Sequence, residues 1–132
     1  MRKIMKAVLA GTALLAAPAV TARDNPDVQL QKLLAGRVAG EPVSCIDAGR
    51  ATSSTVIDGK ALVYRLGSKL YLNVPRSYPQ SLRSDDILVT RTFGSQLCDT
   101  DTVNMVDRFS GFPGGPVFLG KFVPYTKPKR AR

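Results

Sequence analysis

The chain has no histidine and no tryptophan, and only two cysteines among its 132 residues. Without histidine the usual base of serine and cysteine hydrolases is missing, along with a common metal ligand. No Cys-x-x-Cys spacing and no Gly-x-Ser-x-Gly elbow occur, so neither a thioredoxin-like redox pair nor a hydrolase nucleophile is indicated. Beyond the first twenty or so residues, no apolar run approaches the ~20 residues that a transmembrane helix requires. Acidic residues are also lacking at the start, where none precedes Asp24.

Two near-matches to ligand loops fail on chemistry. Gly115 to Lys121 follows the phosphate-loop pattern until Phe122 stands where Ser or Thr must hold magnesium. Pro116 also removes a backbone donor from that stretch. Asp99-Thr100-Asp101 begins like a calcium loop, but Val103 occupies the next ligand position and no glycine follows. No cofactor and no metal are therefore expected. Ser68-Lys69 is the nearest Ser–Lys pair, yet neighbours on a strand point to opposite faces. The carboxylates that remain for acid–base work are Asp85, Asp86, Asp99 and Asp101. Adjacent acids in polar loops are more often solvated turn formers, and the expectation leans away from an enzyme.

What is present begins with a basic start, Arg2, Lys3 and Lys6, followed by an apolar run from Ala7 to Ala17 and then Pro18. Val20-Thr21-Ala22 supplies small or modest side chains for a peptidase. This layout predicts a secretory signal peptide over residues 1–22, cut after Ala22 in preference to Ala19. No cysteine stands near the cut, which argues against a lipid anchor. The expected product is a soluble, exported chain, periplasmic or secreted.

Export changes how the charge reads. The chain carries 19 Lys and Arg against 10 Asp and Glu, but three of the cations lie before Arg23. Four more, Lys127, Lys129, Arg130 and Arg132, lie in the last six residues. The body from Arg23 to Thr126 is left with 12 basic and 10 acidic residues. High basicity belongs to the two ends, so no nucleic-acid-binding face is expected.

In an oxidising compartment two cysteines most simply form one bridge, Cys45–Cys98. Closing a loop of about 50 residues would stabilise a small fold by about 4 kcal/mol on the chain-entropy model.

Asn25-Pro26-Asp27 is a helix start: a cap, a proline at the first position and an acid at the positive end of the dipole. Leu30, Leu33, Leu34 and Val38 recur at helical spacing, which predicts an amphipathic helix over 26–37. The period then changes to two. Strands are expected over Val43–Ile46, Ser53–Ile57, Ala61–Arg65, Lys69–Val74, Ile87–Phe93, Thr102–Val106 and Val117–Val123. Asp58-Gly59 marks a hairpin turn, Pro75–Asp86 a loop and Gly111–Pro116 a tight turn. Alternation in 69–74 sets Leu70, Leu72 and Val74 against Lys69, Tyr71 and Asn73, which predicts one buried and one wet face.

The expected fold is mainly β with one short N-terminal helix: a small antiparallel sheet or open barrel of six or seven strands, with one disulfide. The domain is expected to span 23–126. Pro124 opens a disordered basic tail whose cations lie in 127–132.

Phe109, Phe112, Phe118, Phe122 and Tyr125 gather near the C-terminus. Phe118 and Phe122 share strand parity and are expected in the core, whereas Phe112 in its turn is expected at the surface. The candidate partner-binding residues are Phe112 and Tyr125 together with the tail cations Lys127, Lys129, Arg130 and Arg132.

Several short motifs also form a recognisable set: Ser44-Cys45-Ile46, the Tyr71-Leu72-Asn73 strand, and Gln96-Leu97-Cys98 followed by Asp99. With the signal peptide and the cysteine frame, the chain resembles a family of short proteobacterial exported proteins of unknown function. The resemblance implies an envelope protein with paired cysteines, and it implies no activity or ligand.

The first functional expectation is a non-enzymatic domain binding an envelope protein or anionic polymer through a sheet face or the Phe112 turn. The alternatives are a small periplasmic enzyme using the Asp carboxylates, and a protein held to anionic lipid by its basic tail.

Overall fold

A computed structural model describes residues 24–129, together with Gly11. The signal-peptide reading and the tail residues Arg130 and Arg132 therefore lie outside the described residues.

Helix α1 covers Pro26–Leu34. Asn25 caps it by accepting from the Asp27 N–H at 2.9 Å, and Pro26 fills the first turn. It stops three residues short of expectation, because Gly36 takes a left-handed φ of 73°, as helix-ending glycines do. Val38, expected on the helix face, instead opens strand β1 (Val38–Ala39) and is 57% exposed.

Nine further strands follow: β2 (Cys45–Asp47), β3 (Ser53–Ile57), β4 (Ala61–Leu66), β5 (Lys69–Asn73), β6 (Ile87–Thr90), β7 (Gln96–Cys98), β8 (Thr102–Val106), β9 (Pro113–Phe118) and β10 (Phe122–Thr126). They form three antiparallel sheets ordered β1-β10-β5-β4-β3, β6-β8-β9 and β2-β7, with no closed barrel. Among the described residues ten strands replace the expected six or seven, for two reasons. Two of the short ones, β1 and β7, carry too few residues to show a period. The expected 117–123 strand is also two strands, since Leu119, Gly120 and Lys121 carry the chain from one sheet to another.

Further boundaries differ. Gly114, Gly115 and Pro116 belong to β9 rather than to a turn, beside an irregularity in its register against Met105 and Val106. An edge strand next to such a bulge tolerates glycine and proline. Pro124, Tyr125 and Thr126 are not tail; they form β10, where Tyr125 pairs with Leu70 on one side and Ala39 on the other. Strand β6 ends at Thr90, and Phe93 stands fully exposed in the loop that follows.

The five-stranded sheet is covered on both faces, which corrects the expectation of one wet face. Successive residues of β4 go to opposite sides, and all of Ala61, Leu62, Val63 and Tyr64 are buried. Ala61 and Val63 join Ile57, Leu70 and Leu72 under Leu30, Leu33 and Leu34 of α1. Leu62 and Tyr64 join Leu97, Val103, Met105, Val117 and Phe122 between the sheets. Asn73, expected in water, is fully buried, while Val74 is 54% exposed. As expected, Phe122 is core; Phe118, also expected there, is only half-buried against the Tyr78 ring, because it ends β9 and does not share a strand with Phe122.

The disulfide joins directly opposed residues of β2 and β7, Cys45 and Cys98, with Cα atoms 4.0 Å apart. Asp101 closes the turn after it by accepting from the Cys98 N–H at 2.8 Å.

Candidate functional site

The connection between β8 and β9 is built by one acid. Asp107 Oδ1 accepts from the backbone N–H of Phe109 at 2.9 Å and of Ser110 at 2.7 Å. The Asp107 backbone closes the same loop, donating to the Phe112 carbonyl and accepting from the Gly111 N–H, each at 2.9 Å. Gly111 supplies the φ of 74° that this closure needs. Ser110 Oγ accepts from the Phe112 N–H at 3.2 Å. Closed by these bonds, the loop turns its two aromatic rings outward: Phe109 is 94% exposed and Phe112 73%.

These bonds favour the ionised carboxyl. The Asp107 pKa lies below its ordinary value because the Ser110 and Phe109 N–H groups bind the carboxylate, with a smaller contribution from the Arg83 charge. Beside the loop is a polar groove of about 420 Å³ into which Arg83, Asp86, Asp107 and Phe112 project. Arg108, in the same loop, donates from Nε to the Asp85 carbonyl at 3.2 Å.

A second concavity of about 360 Å³ lies between the sheets, bordered by β3 and β6. Hydroxyl groups of Thr52, Ser53, Ser54 and Thr90 line it, over the apolar side chains of Leu88 and Leu97. The Tyr64 phenol reaches it from β4. That ring is 5% exposed, and its Oη has no hydrogen-bond partner. Burial raises the Tyr64 pKa well above its ordinary value; Thr90 acts in the opposite sense, but not through a bond of good geometry.

The other singled-out residues are dispersed. Tyr125 is half-buried in β10, and its carbonyl accepts from Arg37. Lys127 and Lys129 are exposed beyond that strand. Asp85 and Asp86 precede β6, at the end of the three-stranded sheet that carries the aromatic loop, whereas Asp99 and Asp101 precede β8 at the opposite end. The four carboxylates thus do not form one centre. Ser68 is in the β4–β5 turn, where its carbonyl accepts from Arg37 at 2.8 Å. Lys121, the last residue of the phosphate-loop lookalike, donates to Ser44 Oγ at 3.4 Å.

Sequence reasoning passed over Asp107 and Tyr64. The signal for Asp107 was present, since an Asp followed by Ser and Gly is the chemistry of a side-chain-closed turn. For Tyr64 there was none, because only the packing of β6 over β4 shows where the phenol ends.

Compared with known proteins, the chain matches no family model, no curated protein and no solved structure.

Proposed function

We propose that this protein is an exported, non-enzymatic binding module that engages an envelope protein through its 107–112 loop. The observation that carries this reading is the pairing of a loop held from within by Asp107 with two outward phenylalanines. Exposed rings on a flexible loop lose entropy on binding. Rings on a loop already closed by five hydrogen bonds lose less, and aromatic side chains supply much of the binding energy at interfaces. The adjoining groove, with Arg83 and Asp86, offers polar contacts around the apolar centre, the usual arrangement of a recognition patch.

A photo-reactive phenylalanine analogue at position 112, expressed in intact cells, tests this reading. A discrete protein adduct in the envelope, absent when the analogue replaces Val38, an exposed apolar residue outside the loop, supports it. An adduct pattern identical at the two positions overturns it.

A further inference from the structure

The five-stranded sheet has two ends of different chemistry. Its register sets the end of β10, the start of β5, the end of β4 and the start of β3 in one row: Thr126 pairs with Val38, Tyr125 with Leu70, Leu66 with Lys69, and Ser53 with Arg65. Arg37 ties this row together by donating to the Ser68 and Tyr125 carbonyls. The short turn Ala48–Arg50 joins it, since Arg50 and Gly67 border one concavity and the Thr52 N–H bonds to the Arg65 carbonyl. The Gly49 N–H also bonds to the Ser95 carbonyl, which brings in the loop 91–95.

Six exposed cations stand on these segments: Arg50, Arg65, Lys69, Arg91, Lys127 and Lys129. The one acid among them is Asp47, which accepts from the Gly49 N–H and pairs with Arg50 at 3.6 Å. The loop that carries Arg91 also holds Phe93, whose ring is wholly exposed. At the other end of the sheet Asp27 pairs with Lys60, and Asp58 accepts from the Ser84 N–H beside the groove of Arg83, Asp86 and Phe112. The fold thus sorts charges that are nearly balanced along the sequence from Arg23 to Thr126.

We infer that this basic end docks on an anionic phospholipid surface, with Phe93 entering the headgroup boundary and the six cations meeting the lipid phosphates. A soluble polyanion would engage the cations alone. A lipid surface engages the bare ring as well, since peripheral binding combines buried apolar area with attraction to anionic headgroups. Each cation near such a surface strengthens binding about fivefold. The aromatic loop 107–112 lies by the opposite end, so docking turns it away from the lipid. The inference stands whether or not that loop binds a protein.

The test uses the chain from Arg23 onward, which holds both apolar clusters and the disulfide. It is mixed with vesicles of phosphatidylcholine, pure or with one third phosphatidylglycerol. Because the sequence has no tryptophan, Phe93→Trp and Phe112→Trp each report a single place. On anionic vesicles the Phe93→Trp emission should move to the blue and be quenched by brominated lipid, while that of Phe112→Trp stays unchanged. Lys69→Gln should weaken vesicle binding about fivefold and Phe93→Ser about tenfold. Arg76→Gln, at an exposed cation beyond the far end of β5, should change it less than about twofold, too far from the lipid to matter at a Debye length of about 8 Å. Equal binding to the two kinds of vesicle, or none to either, overturns the inference. So does Arg76→Gln as harmful as Lys69→Gln, which marks attraction by net charge alone. A blue shift at position 112 instead of 93 overturns it in favour of insertion by the aromatic loop. Binding to polyphosphate that is indifferent to Phe93→Ser, without binding to vesicles, overturns it in favour of a soluble polyanion.

Discussion

The side chain of Asn73 and the backbone of Gly120 form a closed reciprocal pair: Nδ2 donates to the Gly120 carbonyl at 2.7 Å, and the Gly120 N–H donates to Oδ1 at 2.9 Å. Asn73 is fully buried at the end of β5, and Gly120 lies where the chain leaves the three-stranded sheet for β10. The pair therefore ties the crossing between sheets. No other residue fits at 120, since a Cβ there would collide with the Val74 carbonyl oxygen.

Asn73→Leu should destabilise the protein by about 2–4 kcal/mol, because it leaves a buried N–H and a carbonyl without partners. Gly120→Ala should be similarly harmful through the backbone collision. Urea unfolding followed by circular dichroism measures both, and a loss below 1 kcal/mol for Asn73→Leu would show that water replaces the pair.

Removing the bridge with Cys45→Ser and Cys98→Ser together should cost about 4 kcal/mol on the chain-entropy model. That is a large part of a small domain's stability of about 5–15 kcal/mol. In thermal unfolding, reductant should bring the wild-type protein down to the level of the double variant and leave the double variant unchanged.

Asp107 should make its loop sensitive to acid. Its pKa is lowered in the folded protein, so its contribution is complete above the unfolded value of about 4 and is lost as pH falls through the folded value. Amide exchange at Phe109 and Ser110 should accelerate below about pH 4, relative to the sheet, and Asp107→Ala should show fast exchange there at neutral pH. Exchange at these two amides that is indifferent to both changes would remove the Asp107 cap from the account.

The aromatic residues should divide cleanly. Phe122→Ala empties a fully buried site and should cost about 3–5 kcal/mol. Phe112→Ala and Phe109→Ala should each stay within about 0.5 kcal/mol of wild type, since these rings are in water. Differential scanning calorimetry of the three variants makes the comparison.

Material recovered from the envelope should begin at Arg23 and weigh two hydrogens less than the dithiol chain. Intact-mass spectrometry decides this. A full-length chain with free thiols would set aside both the export reading and the cell-envelope partner.

Much of the fold was legible where chemistry is local. The Asn25-Pro26 cap begins α1 where read, Asp58-Gly59 turns β3 into β4, and the β3–β5 meander pairs as its periodicity implies. Phe112 was placed at the surface from its turn residues alone. Errors arose wherever one strand's environment depended on distant chain. Asn73 is buried because its face, expected in water, is covered by the second sheet, Val74 lies beyond the end of β5, and Pro124 to Thr126 joined a sheet because β1 and β5 flank them. The cleft beneath Tyr64 was not legible at all, because its walls come from strands more than twenty residues apart.

By itself, the sequence determined a β-rich domain with one helix and one cysteine pair, and it removed histidine-based chemistry. Capping, turn propensity and side-chain period act over a few residues, so they can be read in one dimension. Only the tertiary structure decided that the sheet is covered on both faces, that Cys45 and Cys98 stand opposite each other, and that β3 and β6 border one cleft. Those outcomes follow from which elements pack together, a global compromise between apolar burial and satisfied backbone groups that no short window of sequence contains.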